Sequence, residues 1–245
     1  MIIDLFNADD VHHAHVGGKG YNLHKLHKAG LPVPRAVVIR PQPVNHDELS
    51  AKLEELEWLR NHSHYAVRSS GVGEDSHDKS WAGIFDSYLY ITPDDIAHHV
   101  QRVIDSIDSS RYKKYSAESG AEIKNMAVIV QEMIDADYAG VAFTASPIES
   151  DERIALIEIV EGVGESLVSS QKTPATLRVN KITNMARVQQ TGDDNISEDI
   201  LQQICDTLMP YLHDIEALYG QPMDVEWAVR GDKIFILQAR PITTQ

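Results

Sequence analysis

Apolar residues recur along this chain at helical spacing in some stretches and in short runs or alternation in others, which predicts a mixture of helices and strands. Residues 16–34 read as a glycine loop running into a helix, with Leu23 and Leu26 on its buried stripe and a stop at Gly30 before Pro32. Leu49, Leu53, Leu56 and Leu59 line one side of a helix from Asn45 to Arg60. Ile96, Val100, Val103 and Ile104 do the same for Pro93 to Tyr115. The longest amphipathic run, Glu198 to Tyr219, turns Ile200, Ile204, Leu208, Leu212, Ile215 and Leu218 inward and is halted by Gly220-Gln221-Pro222.

Between the helices lie strand-length runs. Ala36–Ile39 reads as a buried strand, and Tyr65–Arg68 as a short strand delivering Arg68 into a Ser/Gly-rich loop. That loop continues through Ser80 to Ile91 and ends strand-like again. Met126–Ile134 has the uninterrupted apolar character of a central strand, with 140–144 and 154–160 as further strands of the same sheet. Ala175–Val179 with Ala186–Gln189 forms a hairpin, and 190–197 reads as a flexible connector. The last hairpin pairs 224–229 with 233–239 around a three-residue loop, Arg230-Gly231-Asp232. Strand side chains alternate faces, so Ile234, Ile236, Gln238 and Arg240 share one side. A three-residue loop sets Glu226 opposite Ile236 and diagonal to Gln238; a two-residue loop would separate them.

The composition narrows the functional classes. At 245 residues the chain can bury a sizeable core, as one large α/β domain or two lobes. A formal net charge of −15 argues against a nucleic-acid or anionic-membrane binder, so any phosphate ligand must be held by local cations. One cysteine excludes an internal disulfide framework and fits a cytoplasmic chain. The start lacks a basic leader, and no apolar stretch approaches membrane-spanning length.

Three places carry candidate chemistry. The glycines before Lys19 allow backbone N–H groups to approach an anion, with the lysine as a mobile cation, although the spacing is not that of a P-loop. Arg68 and the loop after it combine cation, hydroxyls and small residues, with Trp81 and Phe85 as anchors of a phosphate-covering segment. Glu226, Gln238 and Arg240 bring a carboxylate, an amide oxygen and a guanidinium to one hairpin face, a set that suits metal-bound polyphosphate. Singly, these also fit a tight turn with an exposed lysine, an aromatic-anchored turn and a solvated hairpin. The histidines, such as His12, His13 and His15, lack an accompanying Cys or Glu at zinc-site spacing.

Their order along the chain carries more than the motifs themselves. Gly17–Leu23, Ala66–Ser70 continuing to Glu74-Asp75 and Ala82-Gly83, Val130–Met133, Gly140–Thr144, Gly162–Glu165, Asp224–Ala228 and Leu237–Pro241 together resemble the ATP-binding domain of the phosphoenolpyruvate synthase, pyruvate phosphate dikinase and rifampin phosphotransferase family. The resemblance covers nearly the whole chain. It implies an α+β, ATP-grasp-like fold whose two lobes, 1–125 and 126–245, clasp ATP and Mg²⁺. Lys19, Arg68 and Arg240 would then be the catalytic, phosphate-holding cations, and Gly83 and Ser87 part of the phosphate-covering loop. Gln131, with the backbone of Glu132 and Met133, would sit at the base, and Glu226 and Gln238 would bind the metal.

The departures from the family pattern are as informative. Family enzymes pass phosphate through a histidine in a Gly-Gly-x-Thr-Ser-His-like motif, and no such stretch occurs here. The chain also looks shorter than the family's domain before Arg68 and after residue 180, and Ser146 stands where Asp often precedes Pro. The resemblance thus implies the nucleotide half of a phosphotransferase working with a separate polypeptide that bears the phosphohistidine or acceptor. A self-contained small-molecule kinase and a non-catalytic ATP-sensing module stand as alternatives.

Overall fold

Two antiparallel sheets organise the computed structural model, which describes residues 2–40, 45–72, 84–119, 123, 125–147, 151–164 and 172–242. The chain divides into two compact units, Met1–Lys28 with Pro34–Met133, and Ala29–Val33 with Ile134–Gln245.

In the first unit, β1 (Ile2–Asp4), β2 (Ala36–Ile39), β3 (Tyr65–Gly71), β4 (Ser87–Ile91) and β5 (Met126–Glu132) lie in the order β1-β2-β5-β3-β4. Met126–Val130 is buried on both faces, which gives β5 the central place between β2 and β3. One face of the sheet buries Val37, Ile39, Tyr65, Val67, Val128 and Val130 against α2 (His46–Glu54) and α3 (Ile96–Asp105), through Leu49, Leu53, Ile96, Val100 and Val103. The other face meets α1 (His13–Lys28), whose Gly20 lies against Val38 and Ser70.

Both long helices expected here are broken short of their expected ends. Leu56 is extended after α2, and Glu57–Arg60 forms a separate 3₁₀ turn. The second breaks between α3 and α4 (Ser110–Ser119): the Ser106 hydroxyl donates back to the Val103 carbonyl at 2.6 Å, and Ser109 turns extended to cap the Tyr112 N–H at 3.1 Å.

The second unit holds β6 (Tyr138–Phe143), β7 (Ile154–Glu161), β8 (Ala175–Asn180), β9 (Met185–Gln190), β10 (Met223–Arg230) and β11 (Lys233–Pro241), ordered β11-β10-β6-β7-β8-β9. Thus β6 and β7 do not continue the sheet of β5, as the apolar runs suggested. Gly140 of β6 explains their placement: a Cβ there would collide with the Glu158 carbonyl and the indole of Trp227, so β6 is shaped to lie between β7 and β10. Helix α5 (Glu198–Tyr219) has the expected bounds, capped by the Ser197 hydroxyl and closed by Gly220 at φ 67°. Its buried face takes in Leu201, Cys205 and Met209 beside the expected stripe. Burial pushes the Cys205 thiol up to about 11, so it packs as a protonated, apolar group.

Candidate functional site

In the first unit the glycines of α1 serve close packing. Gly17 sits at φ 69° and breaks the helix, and a Cβ on it would overlap the Ser70 carbonyl and hydroxyl. The Ser70 hydroxyl donates to the Val16 carbonyl at 2.6 Å and accepts from the Gly20 N–H at 3.0 Å. The expected glycine loop is therefore a kinked helix riveted to β3, and at Gly20 the N–H is already engaged. This contact brings Lys19 beside β3, where its ammonium reaches the Ser69 hydroxyl at 3.4 Å.

On β3, Arg68 stands directly opposite Ser87 of β4. Two residues earlier Ala66 pairs with Gln131, which is 2% exposed. Lys19, Arg68, Ser87 and Gln131 are thus carried by adjoining elements. Glu132 pairs with Tyr65, on the opposite face from Gln131, and its carboxylate meets His62 Nε2 at 2.9 Å. Its N–H donates to the Arg35 carbonyl at 2.8 Å, and the Met133 N–H to the His64 carbonyl at 3.2 Å. Gly83 lies outside the described residues, as do Glu74, Asp75 and Trp81.

In the second unit the last hairpin differs from expectation in its turn and compensates in its strand. Arg230 pairs with Lys233, so the turn is the two residues Gly231 and Asp232, with Gly231 at φ 61°. That register alone would set Glu226 across from Leu237. A bulge intervenes: Trp227 pairs with Ile236 but Glu226 pairs with Gln238, leaving Leu237 as the extra residue. The carboxylate and the amide therefore face each other directly instead of diagonally, and Asp224 faces Arg240 in the next pair on that face.

Asp224 was not singled out in the sequence, although it lies two residues before Glu226 on the same face. Its carboxylate accepts from Arg240 Nε at 2.8 Å and lies 2.8 Å from a terminal guanidinium nitrogen. Burial pushes the Asp224 carboxyl up, the Arg240 charge pulls it back, and Glu226 adds a further push. Glu158 belongs to the same face, in the row Glu226–Val141–Glu158. Burial first, and then Asp224, hold its carboxyl above the ordinary range.

The segment read as a flexible connector is tied down. Asp194 accepts from the Glu161 N–H at 2.8 Å and from Lys172 at 2.5 Å, while Asp193 accepts from the Thr173 N–H at 2.8 Å. These bonds hold both stems of the second glycine segment. Asp137 adds another tie, its carboxylate accepting from the Gly231 N–H at 2.7 Å and its carbonyl from the Gly162 N–H at 2.8 Å. Their signal in the sequence was only the turn chemistry of Asp. Among the described residues no group of three or more His, Cys, Asp or Glu is placed to hold a metal ion, and no helix is long and apolar enough to cross a membrane.

Two antiparallel sheets with helical cover make an α+β, ATP-grasp-like fold. A dinucleotide-forming acetyl-coenzyme A synthetase from Ca. Korarchaeum cryptofilum shares the fold with a TM-score of 0.50 at 10% identity, over 92% of each chain. The sequence belongs to the pyruvate phosphate dikinase AMP/ATP-binding domain family, whose model matches residues 41–245. The prodigiosin synthesizing transferase PigC of Serratia marcescens is 30% identical over 100% of this chain and 33% of its own length. The uncharacterized phosphotransferase YvkC of Bacillus subtilis is 31% identical over 93% and 33%, and a probable phosphoenolpyruvate synthase of Archaeoglobus fulgidus 28% over 94% and 40%. The chain therefore spans a third to two-fifths of the length of these relatives.

Proposed function

We propose that this chain binds Mg-ATP and is the nucleotide module of a dikinase-like, ATP-dependent phosphotransferase of the cytoplasm. The observation that carries the reading is the pairing of Glu226 with Gln238 beside the Asp224–Arg240 ion pair. Two neutral or anionic oxygen donors at one point suit Mg²⁺, which keeps few protein ligands when phosphate and water supply the rest. Glu226 and Gln238 would hold the ion, which neutralises phosphate charge and fixes phosphate orientation when bound. Arg240, oriented by Asp224, grips phosphate oxygens through two donors. Lys19, Arg68 and Ser87 serve the phosphates, with Gly83 in the covering segment. Gln131 and the main chain of Glu132 and Met133 serve the base. Because both N–H groups are already bonded, base contact here falls to the Gln131 amide and to carbonyl oxygens. Catalysis is then positioning and charge neutralisation, as phosphoryl transfer requires.

The acceptor is a group outside these residues, a histidine by analogy with the family. Support comes from the lack of a Gly-Gly-x-Thr-Ser-His-like stretch in these residues and from the fraction of each relative that they span. Incubation with Mg-ATP, with and without lysate from the source organism, separates the readings by product. AMP with phosphate or a phosphorylated product, formed only with lysate, is expected. ADP formed by the chain with a small metabolite would replace this reading with a self-contained kinase, and tight binding without any turnover would replace it with a sensor.

A further inference from the structure

Tyr90 occupies a conformation that its side chain disfavours. Its φ of 57° is left-handed, where a bulky residue is an outlier and Asn or Gly are at home. The cause is local to β4: Tyr65 pairs with Ile91 and Val67 with Tyr88, so Leu89 and Tyr90 together stand opposite the single residue Ala66. The side chain on this strained backbone is 43% exposed. It stands edge-on to His64 instead, with ring centroids 5.7 Å apart at 74°.

The register shows what this ring adjoins. Ala66 pairs with Gln131, and Gln131 in turn pairs with Ala36, so a single row runs from the Tyr90 bulge through Ala66 and Gln131 to Ala36. At about 4.8 Å per strand, the bulge lies about 10 Å from Gln131, with only an alanine between. The His64 carbonyl that holds the Met133 N–H belongs to the same strand end. Along β4 in the other direction, Ser87 stands opposite Arg68, so one strand carries the aromatic at the base end and a hydroxyl at the phosphate end. Strain kept at an exposed site is the pattern of a residue held ready for a ligand.

We propose that Tyr90 stacks on the purine base of the bound nucleotide, held out by the β4 bulge and braced by His64. This rests on the reading of Gln131, Glu132 and Met133 as the base end of an ATP site. Base–aromatic stacking contributes enough that its loss weakens binding roughly tenfold.

The test is titration calorimetry with Mg-ATP and with magnesium tripolyphosphate, which lacks a base, on the wild type, Tyr90→Phe and Tyr90→Asn, with thermal melts of all three. Asparagine suits a positive φ, so Tyr90→Asn is expected to melt no lower than the wild type. It should bind Mg-ATP roughly tenfold more weakly while tripolyphosphate binding is unchanged, and Tyr90→Phe should behave as wild type. Unchanged ATP affinity in Tyr90→Asn, an equal loss for both ligands, or a lowered melting temperature would overturn the assignment while leaving the ATP site standing. A wild type that binds no Mg-ATP would overturn both.

Discussion

Replacing Gly17 by alanine separates two uses of a glycine before Lys19, anion binding and close packing, by their effect on stability. In the structure Gly17 sits at φ 69° and ψ 179°, a conformation essentially reserved for glycine that costs an L-residue about 1–3 kcal/mol. The new Cβ would also overlap the Ser70 carbonyl, so α1 must lift from β3. Lifting breaks the two hydrogen bonds of the Ser70 hydroxyl, each worth about 1 kcal/mol net. The sum is a loss of about 3–5 kcal/mol. Ser70→Ala removes the hydroxyl bonds alone and should lose about 2 kcal/mol. Because the overlap involves the Ser70 backbone, Ser70→Ala should not rescue Gly17→Ala in the double variant. Urea unfolding followed by circular dichroism measures all three. A Gly17→Ala variant within about 0.5 kcal/mol of wild type, yet weakened in ATP binding, would refute the packing role and return the glycine to the anion.

Other expectations address groups around the hairpin and the glycine segment. Glu158 has a raised carboxyl, so its contribution to stability is present below its unfolded value and is lost as pH rises through the folded one. Glu158→Gln removes that loss, and the melting temperature of the variant relative to wild type should climb from acid toward neutral pH; a pH-independent difference would contradict the burial argument. Asp194→Ala gives up bonds to the Glu161 N–H and Lys172, and should cost about 1–2 kcal/mol and speed proteolysis within 190–197. Unchanged cleavage would mean that other contacts hold the connector. Asp224→Asn should weaken Mg-ATP binding about tenfold by loosening the grip on Arg240, with no effect if Arg240 is aligned without it.

Most of the fold was legible because its signals are local. Helix α5 could be bounded to the residue, since Ser197 and Gly220 are strong caps and its stripe is uninterrupted. The breaks in the other two helices were hidden, because Ser106 and Ser109 act through hydrogen bonds to backbone that apolar periodicity does not register. Sheet membership was misread for β5 with β6 and β7: an apolar run shows that a strand is central but not in which sheet. The hairpin is the most instructive case. Parity identified the face shared by Glu226, Gln238 and Arg240, yet the three-residue loop invoked for it does not exist. A two-residue turn and a bulge at Leu237 reach a closer pairing by two offsetting shifts, neither of which side-chain alternation could reveal. Asp224 was readable by the same parity and was missed, whereas the pairing of Ser70 with Gly17 spans more than fifty residues and has no local trace.

The central claim, that Glu226 and Gln238 hold the metal of Mg-ATP, is tested most directly by calorimetric titration of Mg-ATP into the wild type, Glu226→Ala and Gln238→Ala, each also melted to verify folding. Both variants are expected to keep their melting transition and to lose at least tenfold in affinity, with the loss shrinking when Mg²⁺ is withheld from all samples. Wild-type affinity in both folded variants would contradict the assignment and leave the paired hairpin face as structure alone.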